Sequence, residues 1–258
     1  MLLDKSRNLG VIRPYVFEHL VRIGNVGDGG YVIPLEVSEN IESLYSLGLG
    51  ENWSFESEIS KINPKIEIKT FDHTVNLQFF TILAVKGIAK FILFRCNIKE
   101  VMKRFKKFQL YVDFWISNKN NTHYKMKVTK DNIVELLSEC AFKKMALKID
   151  IEGDEYSCLQ TLKDEISQLE LLIVEFHEIG KNYLAFSELL SKLGNDFNIA
   201  HIHANNFGGI TNLGLPQVLE MTFVNKRYEH RGELRVRLPL EKLDSPCAKN
   251  REDFQIIF

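Results

Sequence analysis

Three short stretches concentrate side chains able to move protons. Asp150 and Glu152 lie in Lys148-Ile-Asp-Ile-Glu-Gly-Asp-Glu-Tyr156, Glu175 and His177 close the apolar run at 169–177, and His201 and His203 close the run at 197–203. Each pair follows a strand-length apolar segment, and residues two apart on a strand face the same way. An imidazole titrates near neutral pH, which makes His177 the first candidate for a general base, with His203 second and the carboxylate of Glu152 third. The plain alternative for either histidine is a hydrogen-bonded structural role. Asp154 and Glu155, at a helix start, are accounted for by the helix dipole alone. Asp150, Glu175 and His177 offer oxygen and nitrogen ligands for a divalent cation, but their spacing does not require one and no metal ligand is assigned.

Upstream, residues 41–56 read as strand, tight turn and helix around Gly48-Leu-Gly50. Glycines there let a ligand lie against the backbone. About twenty residues later a second strand pattern at 65–72 ends in Asp72, an acid placed to accept hydrogen bonds from ribose hydroxyls. A dinucleotide cradle asks for a third glycine where this chain has Trp53, and an indole is a poor neighbour for pyrophosphate. S-adenosylmethionine carries no phosphate and needs only the close approach at Gly48 and Gly50. The alternative is an ordinary strand-to-helix turn. Asp28-Gly29-Gly30 signals a hairpin turn, and its functional reading is a loop folded over the cofactor.

The remaining elements must bring these stretches together. Ser54 as N-cap opens a helix that Asn63-Pro64 ends. A helical period runs through 76–108, within which residues 86–107 hold eight Lys or Arg and one acid, Glu100. Three readings stay open for that basic stretch: a solvated helix face, a lip that attracts an anionic acceptor, or a transient membrane contact. Residues 108–116 read as a strand and 117–123 as an exposed polar loop. Then follow a helix at 131–140, a strand at 145–149, a helix at 155–163, the strand at 169–177, a helix at 183–193 and the strand at 197–203. The loop at 204–215 has no helical period, so the strand at 217–224 lacks a crossover helix and must pair antiparallel. This pattern predicts an α/β, Rossmann-like class I methyltransferase fold: a mostly parallel seven-stranded sheet with a final antiparallel strand. Ligands in such sheets collect outside the carboxyl ends of the strands.

With 258 residues the chain fits one domain, carrying a helical basic insertion at about 77–108 and an N-terminal lead-in at about 1–35. A tail at 225–258 packs over the rim. Lys plus Arg number 33 against 34 for Asp plus Glu, so no net field favours nucleic acid. Cys96, Cys140, Cys158 and Cys247 form no C-x-x-C pair, which disfavours a structural zinc site or a disulfide framework. No stretch reaches the length of a membrane span. A soluble, cytoplasmic protein without stable membrane insertion is expected.

The stretch from Lys148 to Tyr156 resembles the K-I-D-x-E-G-x-E signature of the FkbM-type methyltransferase family. Asp28-Gly-Gly-Tyr31, Tyr45-Ser-Leu-Gly-Leu-Gly-Glu-Asn-Trp-Ser-Phe-Glu56 and His203-Ala-Asn-Asn-Phe-Gly-Gly209 resemble its methyltransferase-like branch. The resemblance covers roughly residues 22–226 and is weakest over the basic stretch. It implies a SAM-dependent O-methyltransferase, with Gly48 and Gly50 bordering the methionine and ribose parts of SAM, Asp72 on the ribose hydroxyls and Asp150 beside the transferred methyl. Tyr45-Ser46 replaces the family's commoner acid before the glycines, which leaves Asp28 or Glu51 to meet the SAM ammonium. The implied acceptor is a small molecule or glycan, with an anionic one among the options: a sugar or its phosphate-bearing substituent in bacterial capsule, lipooligosaccharide or natural-product biosynthesis. The competing readings are an NAD-dependent oxidoreductase or epimerase, a non-catalytic methyltransferase-like binding protein, and a metal hydrolase built on His201-x-His203 and Glu175-x-His177. The sequence leaves the oligomeric state open.

Overall fold

Seven strands carry the rest of the molecule: β1 (Ser43–Leu47), β2 (Glu67–Phe71), β3 (Asn121–Tyr124), β4 (Met145–Ile149), β5 (Leu171–Phe176), β6 (Phe197–Ala204) and β7 (Leu219–Asn225). The computed structural model describes residues 2–4, 7–138, 144–162 and 164–258. The strands lie in the order β3-β2-β1-β4-β5-β7-β6. β1 to β5 run parallel, and β7 is inserted antiparallel between β5 and β6. That order, with its one reversed strand, is the Rossmann-like class I methyltransferase fold. The strand order switches direction between β1 and β4, which opens a crevice at their carboxyl ends.

Alternation along the strands divides the core in two. Tyr45, Leu47, Leu147, Ile149, Leu172 and Val174 face one apolar cluster, while Leu44, Ile68, Ala146, Leu171 and Ile173 face the other. Both faces are covered, which is why β4, β5 and β7 are buried along their whole length. The same alternation places Ser46, Lys148, Glu175 and Glu220 on the second face, so polar groups are buried on that side.

The α-helices between these strands are α1 (Ser54–Ile62), α2 (Leu77–Ile92), α3 (Ile98–Tyr111), α4 (Ile133–Ser138), α5 (Glu155–Thr161) and α6 (Tyr183–Leu193). Trp53 rather than Ser54 is the residue before α1, and it makes no side-chain cap. Ser54 instead fastens the Asp28 turn to the helix: its Oγ accepts from Asn25 N at 3.0 Å and donates to Gly29 O at 3.2 Å. That turn joins the antiparallel strands Leu20–Gly24 and Gly30–Pro34, as the Asp-Gly-Gly signal predicts.

The main correction falls at 108–116. Aromatic and β-branched residues there favour a strand by propensity, yet α3 continues to Tyr111 and passes into a π-helical turn, Val112–Ile116. The burial of Tyr111 and Trp115, four residues apart, marks one helical face packed inward. The edge strand is β3, in the stretch expected to be an exposed loop. Its polar residues find partners across the gap: Asn121 Nδ2 donates to Phe114 O at 3.0 Å, and His123 Nδ1 lies 2.6 Å from Tyr111 Oη. The final strand begins at Leu219 rather than 217. Cys140 in the helix expected at 131–140, and Lys163 in that expected at 155–163, lie outside the described residues.

At the termini, Leu2–Asp4 pairs with Gln255–Ile257, which pairs with Arg237–Leu238. Leu3, Leu238, Phe254 and Ile256 thereby join the first core cluster, so the tail is packed structure.

Candidate active site

A cavity of about 560 Å³ lies at the switch point, bounded by the carboxyl ends of β1, β2, β4 and β5, the Asp28 turn and the loop after β6. Asp28, Gly48, Gly50, Glu51, Asp72, Asp150, Glu152 and His177 all line it. His203 does not line the cavity. The lining holds seven carboxyl groups, two lysines and two histidines, an acidic excess that suits a positively charged group.

The two glycines have different jobs. Gly48 has φ +85°, and a Cβ there would fall 1.7 Å from the carbonyl oxygen of Asp150. Its small size is required by the neighbouring strand end. Gly50 has φ +56° and open space where a Cβ would stand, so it is Gly50 that leaves a bare backbone surface for a ligand.

Asp72 is more heavily engaged than a free ribose acceptor would be. Its Oδ2 accepts from Leu49 N at 2.9 Å and Gly50 N at 2.7 Å, and its Oδ1 from Thr74 N and Oγ1, both at 2.6 Å. A carboxylate has about four acceptor sites, and all four are used. Burial raises its pKa, but the Thr74, Gly50 and Leu49 hydrogen bonds outweigh this and bring it down to about 2. Asp72 thus clamps the glycine turn in shape. The Thr74 hydroxyl is the one side-chain donor of the four.

Lys148, quoted only as part of a motif in the sequence, is the buried cation of the site. Its Nζ donates to Gly48 O at 3.1 Å, lies 3.8 Å from Asp150 Oδ2 and 3.9 Å from Glu56 Oε1, and stands 5.5 Å from the Tyr31 ring centroid. Glu56 is fully buried and accepts from Ser46 Oγ at 2.6 Å. Tyr31 Oη donates to Asp150 Oδ2 at 3.4 Å. Burial, then the charge of Asp150, pushes the Tyr31 phenol well up, so it stays a proton donor. No periodicity signals Lys148; a lysine between apolar residues of a buried strand is the only hint.

Glu155 also exceeds its expected role. It is fully buried, and its Oε1 accepts from Ile151 N at 3.1 Å and Gly153 N at 3.0 Å. The same oxygen lies 3.0 Å from His177 Nδ1. It holds the turn in which Glu152 and Gly153 have φ +56° and +108°. The dipole account is therefore incomplete.

His177 Nε2 lies 3.6 Å from Glu152 Oε2 and 3.8 Å from Glu175 Oε1. Burial lowers the imidazole pKa, but the Glu155 hydrogen bond and the charges of Glu155, Glu175 and Asp150 override it, raising the value to about 9. The raised pKa favours the imidazolium form of His177 at neutral pH, from which it must lose a proton before acting as a base. Glu175 is shifted well up, by burial first and then by Asp150 and Glu220, while Asn205 Nδ2 donates to it at 2.9 Å.

His203, the second base candidate, is enclosed elsewhere: Nδ1 is 3.0 Å from Glu220 Oε2 and Nε2 is 3.1 Å from Asp253 Oδ2. Burial opposes its charge, but Glu220 and Asp253 carry the pKa well above the ordinary value. His201 Nε2 lies 2.9 Å from Asp244 Oδ1. Both histidines of β6 therefore anchor the tail, His201 through Asp244 and His203 through Asp253. Among the described residues, Asp150, Glu175 and His177 hold three ligand-type atoms within 4.8 Å of one another, as do His203, Glu220 and Cys247.

No family model matches the sequence, and no curated protein matches it. Among solved structures, the chain is similar to a fibrillarin/Nop5p complex at TM-score 0.39 and 10% identity, covering 72% of this chain and 73% of that one. It is also similar to a precorrin-6y C5,15-methyltransferase from Geobacter metallireducens GS-15 at TM-score 0.36 and 13% identity, covering 74% and 85%. A putative caffeoyl-CoA O-methyltransferase from Staphylococcus aureus gives 0.33 and 7%, covering 72% and 78%.

Proposed function

We propose that this protein is a SAM-dependent methyltransferase that methylates an oxygen of a sugar or of a phosphate-bearing sugar substituent, and that it belongs with the FkbM-type enzymes its motifs resemble. The observation that carries the reading is the bare backbone at Gly50, clamped by Asp72 at the switch point of the sheet and opening on a carboxylate-rich cavity. SAM, when bound, supplies an electrophilic methyl on a sulfonium whose positive charge suits that cavity.

The chain's own residues align and deprotonate the acceptor. The Leu49 and Gly50 turn would hold the nucleoside of SAM, with Asp72, which now accepts from the Thr74 hydroxyl, as the acceptor for its ribose. Tyr31 and Lys148 fix the carboxylate of Asp150 at the cavity floor. His177, once neutral, takes the acceptor proton at Nε2, while Glu155 holds Nδ1. Against a nicotinamide cofactor stands Trp53, buried at ring-centroid distances of 5.5 Å from Phe80 and 5.8 Å from Tyr111 where the dinucleotide pattern needs a glycine.

Incubating the protein with methyl-tritiated SAM and a panel of free and phosphorylated sugars tests the reading. Label transferred to a sugar oxygen is the expected result. Transfer to nitrogen or carbon acceptors alone would overturn the O-methyl assignment, and retention of NAD with SAM ignored would overturn the cofactor.

A further inference from the structure

The hairpin of α2 and α3 bears an apolar surface that nothing among the described residues covers. On α2, Val85, Ile88 and Ile92 repeat at helical spacing and are 58%, 47% and 67% exposed; on α3, Ile98, Met102 and Phe105 are 52%, 65% and 55% exposed. The tip between them holds Leu93 and Phe94, the latter 97% exposed. Phe94 has φ +55°, a conformation that usually takes glycine or asparagine, and its ring gains no packing there.

This exposure belongs to a packed element. A Cβ on Gly87 would lie 2.8 Å from Arg104 Cδ, so the two helices touch closely, and Phe80 and Tyr111 root them against Trp53. Beside the apolar stripes stand Lys86, Lys90, Arg95, Lys99, Lys103 and Lys106, all exposed and without a salt bridge among the described residues. Arg104 is paired with Glu100 and Lys107 with Glu51.

We propose that this hairpin docks on an anionic lipid bilayer, with Ile92, Leu93, Phe94 and Ile98 entering the headgroup region and the flanking lysines meeting lipid phosphates. Charge selects this occupant over a second copy of the chain, since self-association would press two strongly basic hairpins together. The contact is with the surface: among the described residues no helix is long and apolar enough to cross a membrane. The inference stands apart from methyl transfer.

Co-sedimentation with vesicles of phosphatidylglycerol and phosphatidylcholine, compared with phosphatidylcholine alone, tests it. The wild type is expected to bind the anionic vesicles at least about tenfold better, and added salt should weaken that binding. Ile92→Ser with Phe94→Ser, and separately Lys90→Glu with Lys99→Glu, should each lose at least about tenfold while keeping the wild-type melting curve. Equal or absent binding to the two vesicle types overturns the proposal. So does a hairpin-dependent dimer in sedimentation velocity without vesicle binding, which would assign the surface to a second copy.

Discussion

Replacing Asp72 with asparagine tests the clamp on the glycine turn. Asp72 is 7% exposed, and holding its carboxyl at about 2 against an ordinary 3.8 is worth about 2 kcal/mol of folding free energy at neutral pH. Asparagine removes that and brings a second difficulty. Its side chain offers one acceptor oxygen to donors arriving from two sides, so the Leu49 and Gly50 amides or the Thr74 pair must face an NH2 group. Each buried donor left unpaired costs about 1–3 kcal/mol. The combined loss is about 2–4 kcal/mol, since the two terms overlap. Urea unfolding followed by the fluorescence of buried Trp53 and Trp115 measures it. The pH dependence has a definite sign: because the folded pKa is depressed, the wild type's advantage is full above about pH 4 and fades as pH falls through about 2. A loss under about 0.5 kcal/mol at neutral pH, or one unchanged in acid, would refute the clamp.

The remaining predictions separate structural from ligand-facing residues. Gly48→Ala should abolish soluble expression, because its Cβ collides with the Asp150 carbonyl, whereas Gly50→Ala should fold with a loss of about 1 kcal/mol and bind SAM more weakly, as denaturation and calorimetry will show. Lys148→Met should destabilise by about 3 kcal/mol in chemical denaturation, since it leaves Glu56 and Asp150 without their cation. For His177, whose folded pKa is raised to about 9, the contribution to stability is full below about pH 6.5 and is lost as pH rises through about 9. If His177 is the base, kcat/KM for methyl transfer rises through the same region, and a profile flat there would assign the proton to Glu152. His203→Ala should loosen the tail, seen as faster proteolysis within residues 240–258, without changing SAM affinity.

Much of this arrangement is legible in the sequence because its signals are local. The apolar runs of β1, β2, β4, β5 and β6, the Asp28 turn and the missing crossover before β7 each follow from period and turn chemistry. The errors arise where tertiary packing decides. Residues 108–116 have strand-like composition, but their buried face follows a helical period only because Trp53 and Phe80 lie opposite. β3 is polar because an edge strand can meet its hydrogen bonds from one side and from a neighbouring helix. The site shows the same division. Asp150, Glu175 and His177 converge as strand ends must, while His203 looks equivalent in sequence until the distant Asp253 and Glu220 enclose it. Lys148 and Glu155 are visible as residues but not as a network, since their partners come from the turns after β1 and β5, from α1 and from the strand Gly30–Pro34.

Calorimetric titration of the wild-type protein with SAM, with NAD as the control ligand, tests the central claim most directly. The account predicts micromolar SAM binding, weakened in Gly50→Ala and absent for NAD. No SAM binding, or binding of NAD in its place, would contradict it.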